Sequence, residues 1–330
     1  MGKQDYKYMV CTRCMTYNHA PYIEDALRGF AMQETTFPVV YIIVDDASTD
    51  GEPDVIRQYL SENFQEPYRT EETDDYNLIC AHHKTNENCI FVVFLLKYNH
   101  YSIKKPKMPY LSEWLDNSKY HALCEGDDYW IEPLKLQKQV QILEENERIG
   151  MVYSKSITYN QKKDKTGKII GADYIDYVKL LYQNVIPTAT VLYRPDLLNS
   201  YKSSIISNPR WKMGDYPFWL YIAHDSSIFY LDSVTAIYRK LPESASHSAD
   251  YNREISFLDS VFEIQKYFLA LYGEGDALEI ERRYWRNCYV TAFKHGNKKE
   301  GNHYFSQLRA AGGVTVRDRI RLLSYHVKLF

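Results

Sequence analysis

The sequence lacks several features that mark large classes of proteins. Its 40 basic and 43 acidic side chains give a formal net charge of −3, so there is no basic excess to neutralise a phosphate backbone, and nucleic-acid binding is not expected. The longest apolar run, Cys89–Leu96, is far shorter than the roughly 20 residues that span a bilayer. The first ten residues, MGKQDYKYMV, contain no apolar segment typical of signal peptides, and six cysteines are too few for a disulfide scaffold. The sequence therefore predicts a cytoplasmic protein.

The glycine-rich phosphate-binding motifs are also absent. Neither G-x-G-x-x-G nor G-x-x-x-x-G-K-[ST] occurs, so a classical dinucleotide site or a P-loop is not expected. The composition, 45% hydrophobic and 25% charged, is that of an ordinary globular chain. The abundant residue is tyrosine, with 31 copies. Its flat apolar face and polar tip suit sugar and base stacking, and they suit plain sheet cores equally well.

The chain begins with two strand–helix units. Pro21 is placed to open a helix whose apolar residues follow the spacing of one buried helical face: Ile23, Ala26, Leu27 and Phe30. The next run, Val39–Val44, is short, continuous and mostly β-branched, which is typical of a strand buried on both faces in a parallel sheet. A second helical pattern follows it. Consecutive units of this kind predict an α/β fold with a mixed, mainly parallel sheet flanked by helices.

Further elements follow the same alternation up to residue 240. The patterns predict a hairpin of 77–84 with 89–96, a short helix at 111–115, a strand at 120–124, a helix at 133–147, and strands at 151–153, 188–193, 229–231 and 234–238. A Ser/His-rich stretch at 244–248 precedes helical patterning that runs to the end. We therefore predict a domain of residues 1–250 and a helical extension of residues 251–330.

Two acidic pairs stand at predicted strand ends. They are Asp45-Asp46 and Asp127-Asp128. Ligands of open α/β sheets bind beyond the carboxyl ends of the strands, and successive residues of an extended chain point to opposite sides. One carboxylate of each pair is therefore expected to face the cleft. Each pair alone is more simply a turn or a helix cap, but two clusters in one cleft could hold Mg²⁺ or Mn²⁺ with a nucleoside diphosphate.

Four segments together resemble the signatures of family 2 glycosyltransferases. They are residues 15–19 (MTYNH), 44–51 (VDDASTDG), 125–130 (EGDDYW) and 214–217 (GDYP), in the order of the family. The resemblance covers about residues 1–240. It implies a GT-A fold and an inverting enzyme of the hexosyltransferase type that uses nucleotide-activated sugars, with UDP as the expected nucleotide.

The resemblance also implies a role for individual residues. Tyr17 matches the position that stacks on the nucleobase, Asp46 the carboxylate that reads the base edge, and Asp215 the general base. Asp127 matches the first acid of the metal motif, and Asp128 its metal ligand. The donor site is further predicted to include Thr16, Asn18, Asn99, Tyr101 and Glu125, and His247 is a second candidate metal ligand.

This chain departs from the family pattern in three places. Met15 stands where the family often has proline, and the metal motif is Glu-Gly-Asp-Asp rather than Asp-x-Asp, which leaves the role of Glu125 open. The stretch 65–90 is longer than in the compact family pattern.

The expected cofactor is Mn²⁺ or Mg²⁺, and the expected partners are a nucleotide-sugar donor and a glycan or lipid-linked acceptor, in cell-surface polysaccharide biosynthesis. The C-terminal tail from Arg317 mixes basic and apolar residues and could lie on the inner face of an anionic membrane, or form a packed helix with a basic outer face.

Three other functions fit parts of the sequence. A receiver domain also places acids after strands, but in a much shorter chain. A nucleotidyltransferase would have a glycine-rich loop after its first strand, and residues 16–21 contain no glycine. A non-catalytic nucleotide-sugar or glycan-binding relative would keep the fold and lose carboxylates that this chain retains.

Overall fold

The structure, a computed structural model, describes residues 5–172, 176–206, 208–241 and 250–327. It contains two compact units. The first comprises the described residues up to 172 together with 185–203 and 225–239, and the second comprises the remaining described residues. The helices after residue 250 all belong to the second unit, which also includes two earlier segments. The predicted division near residue 250 stays a prediction.

The first unit is built on one mixed sheet. Within the described residues its strands are β1 Tyr8–Thr16, β2 Val39–Asp45, β3 Arg69–Glu72, β4 Tyr76–His82, β5 Cys89–Leu96, β6 Ser118–Leu123, β7 Tyr129–Trp130, β8 Ile149–Asn160, β9 Lys165–Ile170, β10 Leu192–Tyr193 and β11 Ser227–Lys240. Their order in the sheet is β3-β4-β5-β2-β1-β6-β10-β8-β11-β7, with β9 paired to β8. The predicted hairpin is confirmed as the antiparallel pair of β4 and β5.

The helices are α1 Ile23–Ala31, α2 Glu52–Asn63, α3 Met108–Leu115, α4 Lys135–Glu145, α5 Tyr177–Tyr182, α6 Pro195–Ser204, α7 Asp215–Asp225, α8 Tyr251–Tyr272, α9 Ala277–Lys294, α10 Lys298–Ala310 and α11 Val316–Val327. One face of the sheet is covered by α1, α2 and α4, and the four predicted apolar residues of α1 are completely buried there. The other face is covered by α3, through Leu111, Trp114 and Leu115.

The centre of the sheet is parallel. Strands β5, β2, β1 and β6 run side by side in the same direction, and every residue of β2 and β5 is buried. Burial on both faces is what the continuous apolar run of β2 predicted. The four strands end at one edge of the sheet, which we call the carboxyl edge.

Several predicted strands were wrong in extent, including the one at 151–153, which is the longer strand β8. Residues Thr188–Thr190 form a short 3₁₀ turn, and only Leu192–Tyr193 pair as a strand. The Thr190 hydroxyl donates to the carbonyl of Ser154 at 3.1 Å and lies 2.8 Å from that of Pro187, so side-chain bonding holds the turn against an extended conformation. The predicted strands at 229–231 and 234–238 are one continuous strand, β11.

The second unit is mainly helical over its described residues. α9 packs against α8 and α10, and a buried cluster of Tyr289, Phe293, Phe305 and Leu308 is joined by Leu322 of α11. Asp318 fixes α11, since its buried carboxylate accepts from the Tyr289 hydroxyl at 2.7 Å. Among the described helices, none has the length and apolar character needed to cross a membrane.

Candidate functional site

The end of β1 brings the two acidic turns together at the carboxyl edge. The backbone N–H of Asp46 donates to the carbonyl of Thr16 at 3.0 Å, and that of Gly126 donates to the carbonyl of Met15 at 3.1 Å. A Cβ on Gly126 would lie 2.1 Å from the Thr16 hydroxyl oxygen, so this close approach requires glycine. Segments that are distant in sequence therefore meet around Thr16.

A buried glutamate that was not predicted from the sequence links the loop after β1 to the acidic turn after β2. Glu52 has no exposed surface, and its carboxylate accepts from the Thr16 hydroxyl, from the backbone N–H of His19 at 2.8 Å and from the Ser48 hydroxyl at 2.8 Å. The sequence does carry a signal, because Thr49-x-x-Glu52 has the spacing of a helix capping box. Glu52 instead bonds across to the loop after β1.

Asn18 completes this link and leaves Tyr17 exposed. Asn18 has a left-handed backbone with φ 57°, its side chain accepts from the N–H of Thr49 at 2.8 Å, and its own N–H donates to Ser48. Asparagine is among the residues that best tolerate this conformation. Tyr17 beside it is 43% exposed. A tyrosine ring held on a cross-linked loop suits stacking on a base, and that role stays a prediction.

Asp46 holds the loop that follows β5. It is 4% exposed, with Oδ1 accepting from the N–H of His100 at 2.8 Å and Oδ2 from the N–H of Tyr101 at 3.1 Å and from Lys107 Nζ at 2.7 Å. Both oxygens thus have protein partners. The structure gives Asp46 a scaffolding role at the predicted place, and its reading of a base edge stays a prediction.

Asn99 and Tyr101 lie in the loop that Asp46 holds. The Asn99 side chain accepts from the N–H of Ser102 at 2.7 Å and so shapes the turn. Tyr101 is 83% exposed, which leaves its ring open to a planar ligand. Tyr101 is therefore the more exposed of the two side chains.

The stretch 65–90 also supports the loop that follows β5. Asp75, in the turn between β3 and β4, accepts from Lys105 Nζ at 2.7 Å, from the Tyr110 hydroxyl at 2.8 Å and from the Tyr98 hydroxyl. The extra length relative to the family pattern therefore adds a hairpin that braces residues 98–110.

The acidic turn after β6 concentrates negative charge. Glu125 is exposed, Asp127 is half-buried and Asp128 is 6% exposed. Burial, and then the negative charge of Asp127, raise the pKa of Asp128 well above its usual value. A cation placed beside these carboxylates would relieve this repulsion.

Arg239 secures the acidic turn, and the sequence analysis missed it. Its backbone N–H donates to Asp128 Oδ1 at 2.8 Å, and its guanidinium donates to the carbonyl of Asp127 at 2.8 Å and to Asp25 at 2.5 Å. The guanidinium also lies 5.0 Å from the ring centre of Tyr22 and 4.8 Å from that of Tyr129. Asp25 and Arg239 are 214 positions apart, so no local pattern could identify this pairing.

The residues of the acidic turn fit a hard divalent cation. Their donors are carboxylate oxygens, which Mg²⁺ and Mn²⁺ prefer. Within the described ranges no three His, Cys, Asp or Glu side chains are arranged as a ready-made metal cage. Such ions commonly take only one or two protein carboxylates and complete their shell with phosphates and water. His247, the other candidate ligand, lies outside the described residues.

Asp215 lies in the second unit, at the first position of α7. The Asp215 carboxylate accepts from the N–H of Tyr216 at 2.7 Å. A carboxylate is favoured there by the helix dipole. The role of Asp215 as a base, and its approach to the acidic turn, stay predictions.

Comparison with known proteins finds a family model that matches part of the chain. Residues 14–87 match the model of glycosyl transferase family 2. The uncharacterized proteins Rv1520 of Mycobacterium tuberculosis and Mb1547 of Mycobacterium bovis are each 29% identical over 244 residues, which is 72% of this chain and 61% of theirs. The alignment thus spans less than two thirds of the length of these curated relatives.

Two solved structures resemble this chain, and the first of them shares its fold. The mannosyltransferase PcManGT from Pyrobaculum calidifontis, in complex with GDP-Man and Mn²⁺, is 15% identical with a TM-score of 0.51, covering 98% of this chain and 81% of its own. Residues 1–349 of S. aureus TarS in complex with UDP are 14% identical with a TM-score of 0.47, covering 92% and 90%. The resemblance drawn from the sequence is confirmed over the matched segment, and so is the mixed α/β fold of GT-A type.

Proposed function

We propose that this chain, whose residues 14–87 match the model of glycosyl transferase family 2, transfers a sugar from a nucleotide-sugar, with UDP as the nucleotide, to a hydroxyl of a glycan or lipid-linked acceptor. The observation that carries the proposal is the meeting of both acidic turns at Thr16, through the N–H of Asp46 and the close approach of Gly126. It puts the carboxylates at the edge where α/β sheets bind ligands.

The carboxyl edge offers the donor two kinds of contact. Tyr17 and Tyr101 are exposed on braced loops and suit the flat face of a nucleobase. Asp127 and Asp128 suit the diphosphate through a divalent cation, with Glu125 as an outer group. PcManGT, which shares the fold, contains a nucleotide-sugar and Mn²⁺. When bound, the cation would neutralise charge on the departing diphosphate.

Asp215 would supply the base for the transfer. Its carboxylate takes the proton from the acceptor hydroxyl while that oxygen forms a bond to the anomeric carbon. The bond from the anomeric carbon to the diphosphate breaks at the same time, and its electron pair leaves with the nucleoside diphosphate. Because attack comes opposite the leaving group, the anomeric configuration inverts.

A thermal-shift screen tests the donor assignment. UDP, GDP, ADP and the matching nucleotide-sugars are each added with Mn²⁺ or with EDTA. A ligand at 100 times its dissociation constant adds about 2.7 kcal/mol to the free energy of unfolding, so we expect UDP with Mn²⁺ to raise the melting temperature by several degrees. Uridine is the control, and it should show no Mn²⁺-dependent shift because it has no diphosphate. A flat response to every nucleotide would refute the proposal.

We also propose that α11 contacts an anionic membrane surface, where lipid-linked acceptors reside. Val316, Ile320 and Leu323 are 75%, 62% and 64% exposed and lie along one side of the helix. Arg317 and Arg319 beside them are also exposed. An exposed apolar stripe flanked by basic residues is typical of helices that lie in the membrane interface.

Liposome flotation tests the membrane contact. We expect the protein to float with vesicles containing anionic lipid, and the double variant Ile320→Ser/Leu323→Ser to bind about tenfold more weakly, because two aliphatic side chains no longer enter the interface. Leu271→Ser is the matched control, since Leu271 is 46% exposed on α8. Equal flotation of all three proteins would show that α11 is only a packed helix.

A further inference from the structure

The second unit contains a cavity of about 220 Å³, and every residue that lines it belongs to that unit. Its walls come from the end of α5, the start of α7, and the helices α8 and α9. Met213 and Tyr216 are part of the lining, and Asp215 stands between them in the chain. The cavity therefore lies at the end of α7 that carries the proposed base.

Aromatic rings form much of the wall of this cavity. Tyr182, Phe257, Phe262 and Tyr284 line it, and all four are half-buried. The rings of Phe262 and Tyr284 stack with their centres 4.2 Å apart and an angle of 11° between their planes. The Tyr284 hydroxyl donates to Asp259 at 2.7 Å, which fixes this ring further. The wall thus offers flat apolar surface that is already in place before a ligand arrives.

A buried amide presents an unused acceptor to the cavity. Gln265 is 5% exposed, and its Nε2 donates to the carbonyl of Leu181 at 2.7 Å, which fixes the orientation of the amide. Its Oε1 accepts from no described residue, and it keeps accessible surface, so a molecule in the cavity can reach it. An acceptor in so buried a side chain costs free energy when it has no donor, and a ligand hydroxyl would satisfy it.

Two exposed amides add to the polar part of the lining. They are Gln183, directly after α5, and Asn287 of α9. Neither side chain forms a hydrogen bond with another residue in the described part of the chain. An amide has two donors and an acceptor, and a hydroxyl both donates and accepts, so each amide can pair with a hydroxyl of a ligand.

The cavity offers little net charge. Arg283 is the one charged residue in its described lining, and its Nε donates to Glu279 at 2.6 Å. With this cation already paired, an anionic ligand would gain little from it. The free Oε1 of Gln265 would also repel an anion that has no proton to donate. The lining therefore favours a neutral ligand with hydroxyl groups and an apolar face.

We propose that this cavity binds one neutral sugar ring, and that this ring is the terminal sugar of the acceptor. Its apolar face would lie on the aromatic wall, one hydroxyl would donate to Gln265 Oε1, and others would pair with Asn287. A volume of about 220 Å³ is below the roughly 300–1,000 Å³ of drug-sized ligand sites, which suits a single ring. The acceptor assignment rests on the proposed transferase function, whereas binding of the ring does not.

Ligand-detected NMR on the whole chain tests the sugar site. The probes are methyl glycosides of the common hexoses, 6-deoxyhexoses and N-acetylhexosamines, with no nucleotide present. Cyclohexanol is the control ligand, because it has a six-membered apolar ring and a single hydroxyl. We expect at least one glycoside to bind more tightly than cyclohexanol. Gln265→Met should weaken that glycoside about tenfold, because the buried acceptor is lost.

Gln265→Met leaves the local structure a way to stay intact. The carbonyl of Leu181 loses the amide but still accepts from the Tyr216 hydroxyl at 2.8 Å. If this variant does not fold, Asn287→Ala decides, because Asn287 is exposed; it should bind the glycoside several-fold more weakly than Asn302→Ala. Asn302 is the matched control, an exposed asparagine of α10 outside the cavity.

Three results would overturn the sugar site. They are absence of glycoside binding up to about 50 mM, cyclohexanol binding as tightly as every glycoside, and unchanged glycoside affinity in folded Gln265→Met. Because no nucleotide is present, these results are independent of the thermal-shift screen. A chain that responds to a nucleotide with Mn²⁺ and binds no glycoside would keep the proposed function and lose this site.

Turnover tests the acceptor assignment. The glycoside that binds most tightly is added to the nucleotide-sugar selected in the thermal-shift screen, and release of nucleoside diphosphate is followed. We expect the glycoside to accelerate release, and Gln265→Met to raise the KM for the glycoside about tenfold with donor affinity unchanged. A glycoside that binds in a Gln265-dependent way without accelerating release would overturn the acceptor assignment.

Discussion

Replacing Asp215 with asparagine should abolish sugar transfer and leave donor binding unchanged. Asparagine caps a helix as well as aspartate does and can still accept from the N–H of Tyr216, so α7 should begin as before. The amide cannot take the proton of the acceptor hydroxyl. Loss of a general base typically lowers turnover about 10²- to 10⁴-fold. The measurement is release of nucleoside diphosphate from the nucleotide-sugar selected in the thermal-shift screen, with calorimetry for donor affinity.

The control for this variant is Asp176→Asn. Asp176 also stands at a helix start in the second unit, where its carboxylate accepts from the N–H of Lys179 at 2.8 Å. It has no predicted catalytic role, so its turnover should match that of the unmodified chain. Turnover of Asp215→Asn within a few-fold of the control would mean that Asp215 is only a cap and that the base lies elsewhere.

The parts of the fold that local patterns predicted well are those where burial alone decides the residue type. β2 and β5 lie between other strands with helices on both faces, so their positions are apolar, except for Asp45 at the end of β2, and the run is visible in the sequence. The helical spacing in α1 is visible for the same reason. The turn at Thr188–Thr190 was missed because hydrogen bonds to Thr190 hold it, and such bonds depend on residues that only the fold brings near.

The candidate site also contains some features that local sequence patterns predict and others that they do not. The expectation that neighbouring carboxylates point apart is confirmed at β2, where Asp45 accepts from the N–H of Ser48 and Asp46 from that of His100. Glu52 and Arg239 could not be assigned in this way. Arg239 is a single charge whose partners come from distant segments. The capping-box spacing that marks Glu52 predicts a local bond at the helix start, and it gives no sign of the bonds to Thr16 and His19.

The match of Asp46 to a family motif does not by itself establish what its carboxylate does. Its place at the end of β2 was predicted, but its bonds to the N–H groups of His100 and Tyr101 and to Lys107 are specific to this loop. In this chain, Asp46 orders the segment that presents Tyr101. Recognition of the base would then depend on the two exposed tyrosines and on loop backbone as much as on this carboxylate.

The second large effect is expected from Asp128→Asn, which should lower donor affinity without lowering the stability of the fold. The amide retains an acceptor for the N–H of Arg239, and it removes a buried negative charge that Asp127 and Glu125 repel. Without metal, the melting temperature should therefore be unchanged or higher. With Mn²⁺, donor affinity should fall about 10- to 100-fold or more, because even residues that only support a ligand are worth that much in metal sites.

Asp45→Asn is the matched control for this experiment. Asp45 is a fully buried carboxylate at the end of β2, with its pKa raised to about 6 by burial, and it accepts from the N–H of Ser48 in its own turn. Its amide variant should keep the full Mn²⁺-dependent gain in affinity for UDP. Calorimetry with Mn²⁺ and with EDTA measures that gain for each protein. If Asp128→Asn keeps it as well, the cation is held by other residues, and the acidic turn serves only to shape the carboxyl edge.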